Sequence, residues 1–562
     1  MNIQEKIKDW IKETLEIEED FVLAHPKDLK NGDYSFFVPP KPVAKEDTLE
    51  DIVKILSGNK IPEIERIEAV GNFINFYLSK DFFVESVKEI IEGDSDYGKN
   101  NSLKNQKIII EHTVTNVLKP MHIGHLMGNV VGESLSRILE WNKAELKRNN
   151  YQGDIGLHIA KALWGIIKLG GMIDGDINEK IKYIGEAYAL GSNAYEDDEK
   201  VQEEIKEINK KIFEKSDDNL NKIYKWGREI SLAHFEDLYK KLGTKFDYYF
   251  FESEVVDNAL KIVKEFLQKG LFEESERAIV FRGEKFDPKL HTRVFVNKEG
   301  LPTYEAKDIA HAIRKYEAYK SDKSIIITAN EQDGYFEVML RALKEIRPEI
   351  AIQTTHLSHG MLKLTTGKMS SRKGNIITGE SLIEDVENLV KDKIKDRNFS
   401  ESEKQEVAEI VAIGAIKYSI LRQAIGGDII FDFDKSISFE GDSGPYLQYA
   451  CVRANSVLEK AISQGVTLGN APKVTPWETT ELEKYLYRFP EVVERAGKEY
   501  APHYIVTYLT ELASAFNSSY AKEKIIDKED LSSPYKIALT QATAHILKSG
   551  LNLLGIKVPE RM

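Results

Sequence analysis

One cysteine, Cys451, is all that 562 residues contain. That excludes an internal disulfide and any zinc knuckle built from paired cysteines, and a lone thiol of this kind reads as a small buried filler. No segment approaches the roughly 20 consecutive apolar residues that a bilayer crossing requires. The stretch from Met1 to Glu13 mixes Lys, Asp and Glu with Ile and Trp10, and it lacks the apolar run of a signal peptide. The expectation is a cytoplasmic protein without membrane contact. Positive charge is also in deficit, with 78 Lys and Arg against 92 Asp and Glu, a formal net charge of −14. This argues against a generic nucleic-acid coat, and no DNA partner is expected. An acidic protein that binds RNA must gather its Lys and Arg on one face. Short repeats and low-complexity tracts are missing as well.

What is present is ordinary globular material, 42% hydrophobic and 30% charged, in a chain too long for one core. From Asn2 an amphipathic helix, a polar turn at Lys30–Asp33 and the alternating strand pattern Gly71–Tyr77 suggest a compact accessory domain. The polar run Gly98–Lys107 closes it, so residues 1–105 are taken as the first domain. Ile108, Ile109 and Ile110 read as a buried strand ending at Glu111 and His112. Thr113–Met121 is a loop containing Pro120, and Leu126, Val130, Val131, Leu135, Ile138 and Leu139 then recur at helical spacing up to Trp141. Strand, loop and helix in that order place the loop where open α/β sheets bind ligands. Ile325–Ala329, followed by Asn330–Gly334 and a helix carrying Phe336, Met339, Leu340 and Leu343, repeats the arrangement. Two such units support a doubly wound core over residues 106–395. The Glu- and Lys-rich stretch Asp174–Trp226 reads as inserted helices with solvated faces. Beyond Asp396 the pattern is helical, clearest at Val407–Gln423, Tyr446–Ser463, Thr480–Tyr500 and Tyr504–Tyr520, which predicts an all-α domain over 396–562.

Two motifs carry chemistry. His122-Ile-Gly-His125 opens the first of these helices. Its histidines, three apart, share a face, Gly124 lets a base and ribose approach the backbone, and the helix N-terminus suits a phosphate. Alone, the string also admits structural and metal readings, although no carboxylate stands at the spacing of a zinc helix motif. Gly367-Lys-Met-Ser-Ser-Arg-Lys-Gly-Asn375 is a basic, glycine-flanked loop whose Lys368 and Lys373 can meet a triphosphate; alone it could equally be a solvated charge run.

Together, HIGH on a strand-to-helix turn and a KMSS far downstream resemble the paired signature of class I aminoacyl-tRNA synthetases. The resemblance implies that an amino-acid carboxylate attacks the α-phosphorus of ATP, pyrophosphate leaves, and the 2′-hydroxyl of the terminal tRNA adenosine takes the aminoacyl group. His122, His125 and Lys368 would stabilise charge on the phosphates. Gly124, Met369, Ser370 and Ser371 would complete the ATP site, and Mg2+ is expected on the pyrophosphate. Upstream of HIGH, Glu111-His-Thr-Val-Thr-Asn116-Val-Leu-Lys119-Pro120 is similar to arginyl-tRNA synthetases, as is Tyr304-Glu-Ala-Lys-Asp308. In that family Glu111, Asn116, Tyr304, Asp308 and Gln332 would form the arginine pocket. Two carboxylates and a hydroxyl suit a guanidinium, a planar fork of five donors, and Asn116 with Gln332 would hold the α-amino end. Pro445-Tyr-Leu-Gln-Tyr-Ala450, Ala513–Tyr520 and the ending Leu554–Met562 resemble the helical anticodon-binding domain. There Tyr446, Gln448, Tyr449, Arg453, Asn517 and Tyr520 are the candidate tRNA contacts. The first domain resembles the one that touches the corner of the tRNA. The family also implies a monomer, tRNA(Arg) and L-arginine as partners, and activation that needs bound tRNA.

Two residues depart from the family pattern: Met127 stands where Arg is usual, and Thr115 where Pro is frequent before the pocket asparagine. Among rivals, a cysteinyl enzyme would call for zinc-binding cysteines, and a glutamyl enzyme for a basic pocket. A tRNA-binding module without catalysis would not need His122, His125 and Lys368.

Overall fold

The computed structural model describes residues 3–38, 48–365, 378–469 and 478–562. The chain forms two compact units, Leu103–Ile437 and a second assembled from both ends, Met1–Ser102 with Ser438–Met562.

In the first unit, five parallel strands stand in the order Thr354–His359, Lys323–Ala329, Lys107–Glu111, Glu145–Gln152, Tyr248–Phe251. Ile108, Ile109 and Ile110 are buried because helices cover both faces of the sheet, as a parallel sheet requires. The chain runs outward from the central strand Lys107–Glu111 in one direction and later returns to its other side at Lys323–Ala329. Between those two strands the connections diverge, and that opening at the carboxyl ends is where doubly wound sheets bind ligands. The helix following the central strand is Ile123–Trp141. The predicted inserted helices are Ile177–Asp197, Glu199–Glu214 and Asp218–Leu242. An antiparallel three-stranded sheet, Glu273–Ser275, Ala278–Arg282 and Thr292–Val296, precedes helix Tyr304–Ala318.

Helix Glu401–Leu421 and strand Ile429–Phe431 also belong to this unit; the strand pairs in parallel with Leu362–Leu364. The unit therefore runs past the 395/396 division to Ile437. Helical periodicity is the same on either side of that point, so the sequence carries no signal of the change.

In the second unit, helix Ile3–Leu15 buries Ile7, Trp10 and Ile11 against an antiparallel sheet in the order Leu23–Ala24, Tyr34–Phe37, Phe73–Leu78, Ile64–Val70. Tyr487, from the C-terminal helices, joins the same core. His25 Nε2 lies 2.9 Å from Glu491, the Tyr34 hydroxyl donates to Glu491, and Lys484 donates to the Leu29 carbonyl at 2.9 Å. The helix predicted over Thr480–Tyr500 is two, Glu481–Leu486 and Phe489–Lys498. Pro490 has no N–H to continue the first and takes the opening turn of the second. Cys451 is buried on helix Gly444–Gln464, and burial pushes its thiol up to about 12, as an inert filler.

Candidate active site

The strand Lys107–Glu111 delivers the chain into a loop under backbone strain. Thr113, Val114 and Leu118 have φ of 75°, 50° and 54°, a region costly for β-branched residues. Buried hydrogen bonds hold it there. Thr113 Oγ1 accepts from Asn129 Nδ2 at 3.0 Å and lies 2.8 Å from His112 Nδ1. Thr115 Oγ1 receives Gln152 Nε2 at 2.9 Å and meets the Tyr239 hydroxyl at 2.7 Å. Thr115 is fully buried, so its hydroxyl supplies, by hydrogen bonding, a restraint on the loop where proline is frequent in the family. Asn116 pairs with Gly153, where a Cβ would lie 2.1 Å from Asn116 Oδ1; glycine alone leaves that side chain its place.

His122 caps helix Ile123–Trp141 in an extended conformation, and its N–H donates to His125 Nδ1 at 3.3 Å. The two rings stack with centroids 3.6 Å apart. A Cβ at Gly124 would stand 3.0 Å from the His122 ring, so glycine makes room for the stack. Burial, reinforced by Lys119 and His359, pushes His122 down to about 4. His125 is held well below the usual histidine range, by burial first and then by its neighbours His122 and Lys119. Both rings are neutral at pH 7. With Nδ1 accepting, the neutral His125 carries its proton on Nε2 and offers a neutral N–H, not a positive charge.

A cavity of about 470 Å³ opens here. Glu111, Asn116, His122, Gly124, His125, Tyr304, Asp308 and Gln332, all predicted, line it together. Its carboxylates differ in their company. Glu111 Oε2 receives Asn149 Nδ2 at 2.6 Å, His311 Nε2 at 2.6 Å and Lys315 Nζ at 2.8 Å. Burial works against its charge, but Lys315 and His311 prevail and hold the carboxyl far below its ordinary range. Glu252 is bound to the buried Lys307. Asp308 accepts a 2.5 Å hydrogen bond from the Tyr335 hydroxyl and, among the described residues, has no cation in contact. Burial, with the charges of Glu111 and Glu252, pushes it up to about 8.

Sequence reasoning missed Glu252, Arg293, Tyr335 and His359 in the lining, and Lys315 and His311 behind it. Two signals were available. Tyr304, Asp308, His311 and Lys315 follow at intervals of four, three and four, which puts them on one helical face. Glu252 directly follows the parallel strand Tyr248–Phe251, at its carboxyl end.

Residues 86–433 match the family of class I tRNA synthetases (R), catalytic domain, while 1–78 match the arginyl tRNA synthetase N terminal domain and 447–562 the DALR anticodon binding domain. The chain belongs to the arginyl-tRNA synthetase family. It is 32% identical over 571 residues to the arginine–tRNA ligase of Oenococcus oeni, covering 100% of this chain and 99% of that one. With the arginine–tRNA ligase of Halothermothrix orenii it shares 31% over 576 residues, both chains fully covered. Among solved structures, Thermus thermophilus arginyl-tRNA synthetase superposes with a TM-score of 0.80 at 24% identity over both full chains. The Plasmodium falciparum enzyme gives 0.76 at 21% identity, over 100% of this chain and 99% of that one. At such identity these two likenesses concern the fold, a class I synthetase core with an α+β N-terminal domain and a helical C-terminal domain.

Against that family pattern, Met127 is 1% exposed on the HIGH helix, a core position its thioether fills without the partner a guanidinium would need there. Lys368, Met369, Ser370 and Ser371 lie outside the described residues. The described chain resumes at Thr378, which forms a bridge with His122, and Gly379 N–H donates to Met121 O at 2.8 Å. The chain just after the KMSS segment is thus tied to the HIGH motif.

In the C-terminal helices, Arg453 donates to Asn517 and stands 4.7 Å and 5.0 Å over the rings of Tyr449 and Tyr520. These four residues form one cluster across helices Gly444–Gln464 and His503–Lys522, and Tyr520 is 43% exposed. Tyr446 is half-buried nearby on the first helix. Gln448 is a correction. It is fully buried and its Nε2 donates to the Lys557 carbonyl at 2.7 Å, so it secures the chain end and cannot reach an RNA.

Proposed function

We propose that this chain uses ATP to attach L-arginine to tRNA(Arg) through an arginyl-adenylate, yielding arginyl-tRNA, AMP and pyrophosphate. ATP is a substrate of class I synthetases. The observation that carries the choice of amino acid is Asp308, a buried carboxylate with a tyrosine donor and, among the described residues, no contacting cation, in a cavity whose other buried carboxylates, Glu111 and Glu252, already have lysines. A guanidinium supplies the missing charge and the hydrogen-bond fork together.

In this reading Asp308 and Tyr304 take the side chain of arginine, Glu111 accepts one of its N–H groups, and Asn116 and Gln332 hold the α-amino end. The α-carboxylate then attacks the α-phosphorus in line, and pyrophosphate departs. His122 and His125 donate neutral N–H bonds to phosphate oxygens, and Lys368 brings the positive charge. No enzyme nucleophile takes part. Mg2+ prefers phosphate oxygens with few protein ligands, so it would arrive on the triphosphate and neutralise charge there; among the described residues no group of three His, Cys, Asp or Glu is built to cage an ion. The Tyr449, Arg453, Asn517 and Tyr520 cluster, with Tyr446, presents stacking faces and a cation to the anticodon stem. The N-terminal domain touches the corner of the tRNA. The working form is a cytoplasmic monomer.

Aminoacylation of total tRNA with each of the twenty radiolabelled amino acids, ATP and Mg2+ tests this reading. Charging with arginine alone is expected. Charging with another amino acid would overturn the pocket, and no charging by a folded, tRNA-binding protein would leave a binding module.

A further inference from the structure

Lys315 does not line the cavity, yet it is the strongest charge acting on a residue that does. It is 3% exposed, on the face of helix Tyr304–Ala318 that also carries Asp308 and His311. Its Nζ lies 2.8 Å from Glu111 Oε2, the same oxygen that His311 and Asn149 approach at 2.6 Å. His311 is fixed in turn, its ring stacked on Tyr151 with centroids 3.8 Å apart and planes 3° from parallel. Three donors on one oxygen settle the carboxylate's rotation. Among the described residues none of these donors falls on Oε1, and Glu111 lines the cavity. A buried carboxylate without Lys315 would face the full cost of desolvation.

Resting on the arginine reading of the pocket, we propose that Lys315 is a positioning residue for substrate recognition. Assisted by His311, it holds Glu111 with Oε2 occupied by the protein and Oε1 left to one N–H of the guanidinium. The Glu111–Lys315 pair is then neutral as a whole, so Glu111 orients the side chain of arginine while Asp308 answers its charge. The same helix carries the charge-bearing residue and the cation that keeps its neighbour in place.

A double-variant cycle in aminoacylation by the full chain tests this, with KM for arginine and KM for ATP measured separately. Lys315→Met should raise the arginine KM by about tenfold or more while the ATP KM stays within about twofold. In the Glu111→Gln background, where no carboxylate needs holding, the same substitution should change the arginine KM by less than about twofold. The double variant itself leaves no orphan charge, so its arginine KM, set against that of the parent, remains informative should either single variant fail to fold. Lys315→Arg should recover part of the arginine KM. An unchanged arginine KM in Lys315→Met, an equal rise of both KM values, or an equal effect in both backgrounds would each overturn the proposal. Failure of the unaltered chain to charge arginine would instead overturn the reading on which it rests.

Discussion

Replacing Asp308 by Asn should weaken arginine binding and stabilise the free protein at once. The carboxyl is pushed up to about 8 from its ordinary 3.8, by burial and by the charges of Glu111 and Glu252. An acid whose folded pKa lies above its unfolded one burdens the fold increasingly as pH rises from the unfolded value to the folded one, and constantly above it. Each unit weighs about 1.4 kcal/mol, so the ceiling above pH 8 is about 6 kcal/mol. Water entering the open cavity brings the expectation to about 2–4 kcal/mol. Asn keeps an oxygen for the Tyr335 hydroxyl and has no charge to bury. The variant should therefore melt higher than the parent at pH 8.5 and about equally at pH 4, without arginine present.

Binding moves the other way. Removing one partner of a buried, hydrogen-bonded charge pair costs about 2–5 kcal/mol, so about 3 kcal/mol, or roughly 150-fold in arginine KM, is expected. The ATP KM should hardly move. In the parent, arginine must meet a carboxylate and not a carboxylic acid, so its affinity should rise about tenfold per pH unit up to about 8 and then level off. In Asp308→Asn that slope should vanish. The assays are thermal melting at several pH values and arginine KM from pH 6 to 9. A variant that melts lower than the parent at pH 8.5, or a parent whose arginine KM is flat across the range, would refute the reasoning.

Two further outcomes follow from the geometry and a third from the proposed role of Lys368. Gly153→Ala places a Cβ 2.1 Å from Asn116 Oδ1, so the asparagine must move; arginine KM should rise by about tenfold or more with only a small change in melting temperature. Thr115→Val removes a fully buried hydroxyl from between Tyr239 and Gln152 and leaves Gln152 short of an acceptor, which should lower stability in denaturant titration by about 1–3 kcal/mol. Lys368→Ala should slow arginine-dependent pyrophosphate exchange by about a hundredfold while tRNA affinity stays nearly unchanged, and an unaltered exchange rate would remove this lysine from the mechanism.

The site was legible in the sequence to the extent that its residues are tied to strand ends and helix starts. Ile108–Ile110 and the helical spacing after Gly124 locate the loop between them; the arginine-pocket candidates come from the family resemblance, and with His122, Gly124 and His125 they line one cavity. What escaped is set by tertiary approach. Helical spacing puts Lys315 on the face of Asp308, but nothing local names its partner, Glu111, 204 residues away. The union of both chain ends in one unit depends on Tyr34, His25 and Tyr487 meeting across most of the sequence. Gln448 shows the converse error. It sits inside a motif of candidate RNA contacts, but on a helix the next residue turns by about 100°, so Gln448 faces inward to Lys557 while Tyr449 turns towards Arg453.

The neutral state of the histidines bears on how the proposed chemistry is switched on. With His122 pushed down to about 4 and His125 held well below the usual range, the stacked pair contributes hydrogen bonds without charge. A triphosphate needs cations, and the acidic walls of Glu111, Glu252 and Asp308 do not provide them. Lys119 stands close enough to depress both histidines, Arg293 in the lining is paired with Glu305, and the KMSS loop carries Lys368, Arg372 and Lys373. The described chain resumes after that loop at Thr378, bridged to His122. Neutral imidazoles suit the proposed chemistry, since two charged histidines would repel any lysine that shares the phosphates with them. At saturating arginine, where the ionisation of Asp308 no longer limits binding, exchange rates should accordingly show no imidazole ionisation between pH 6 and 8; a histidine-like limb that persists at saturation would mean that one of the pair is charged in the working enzyme.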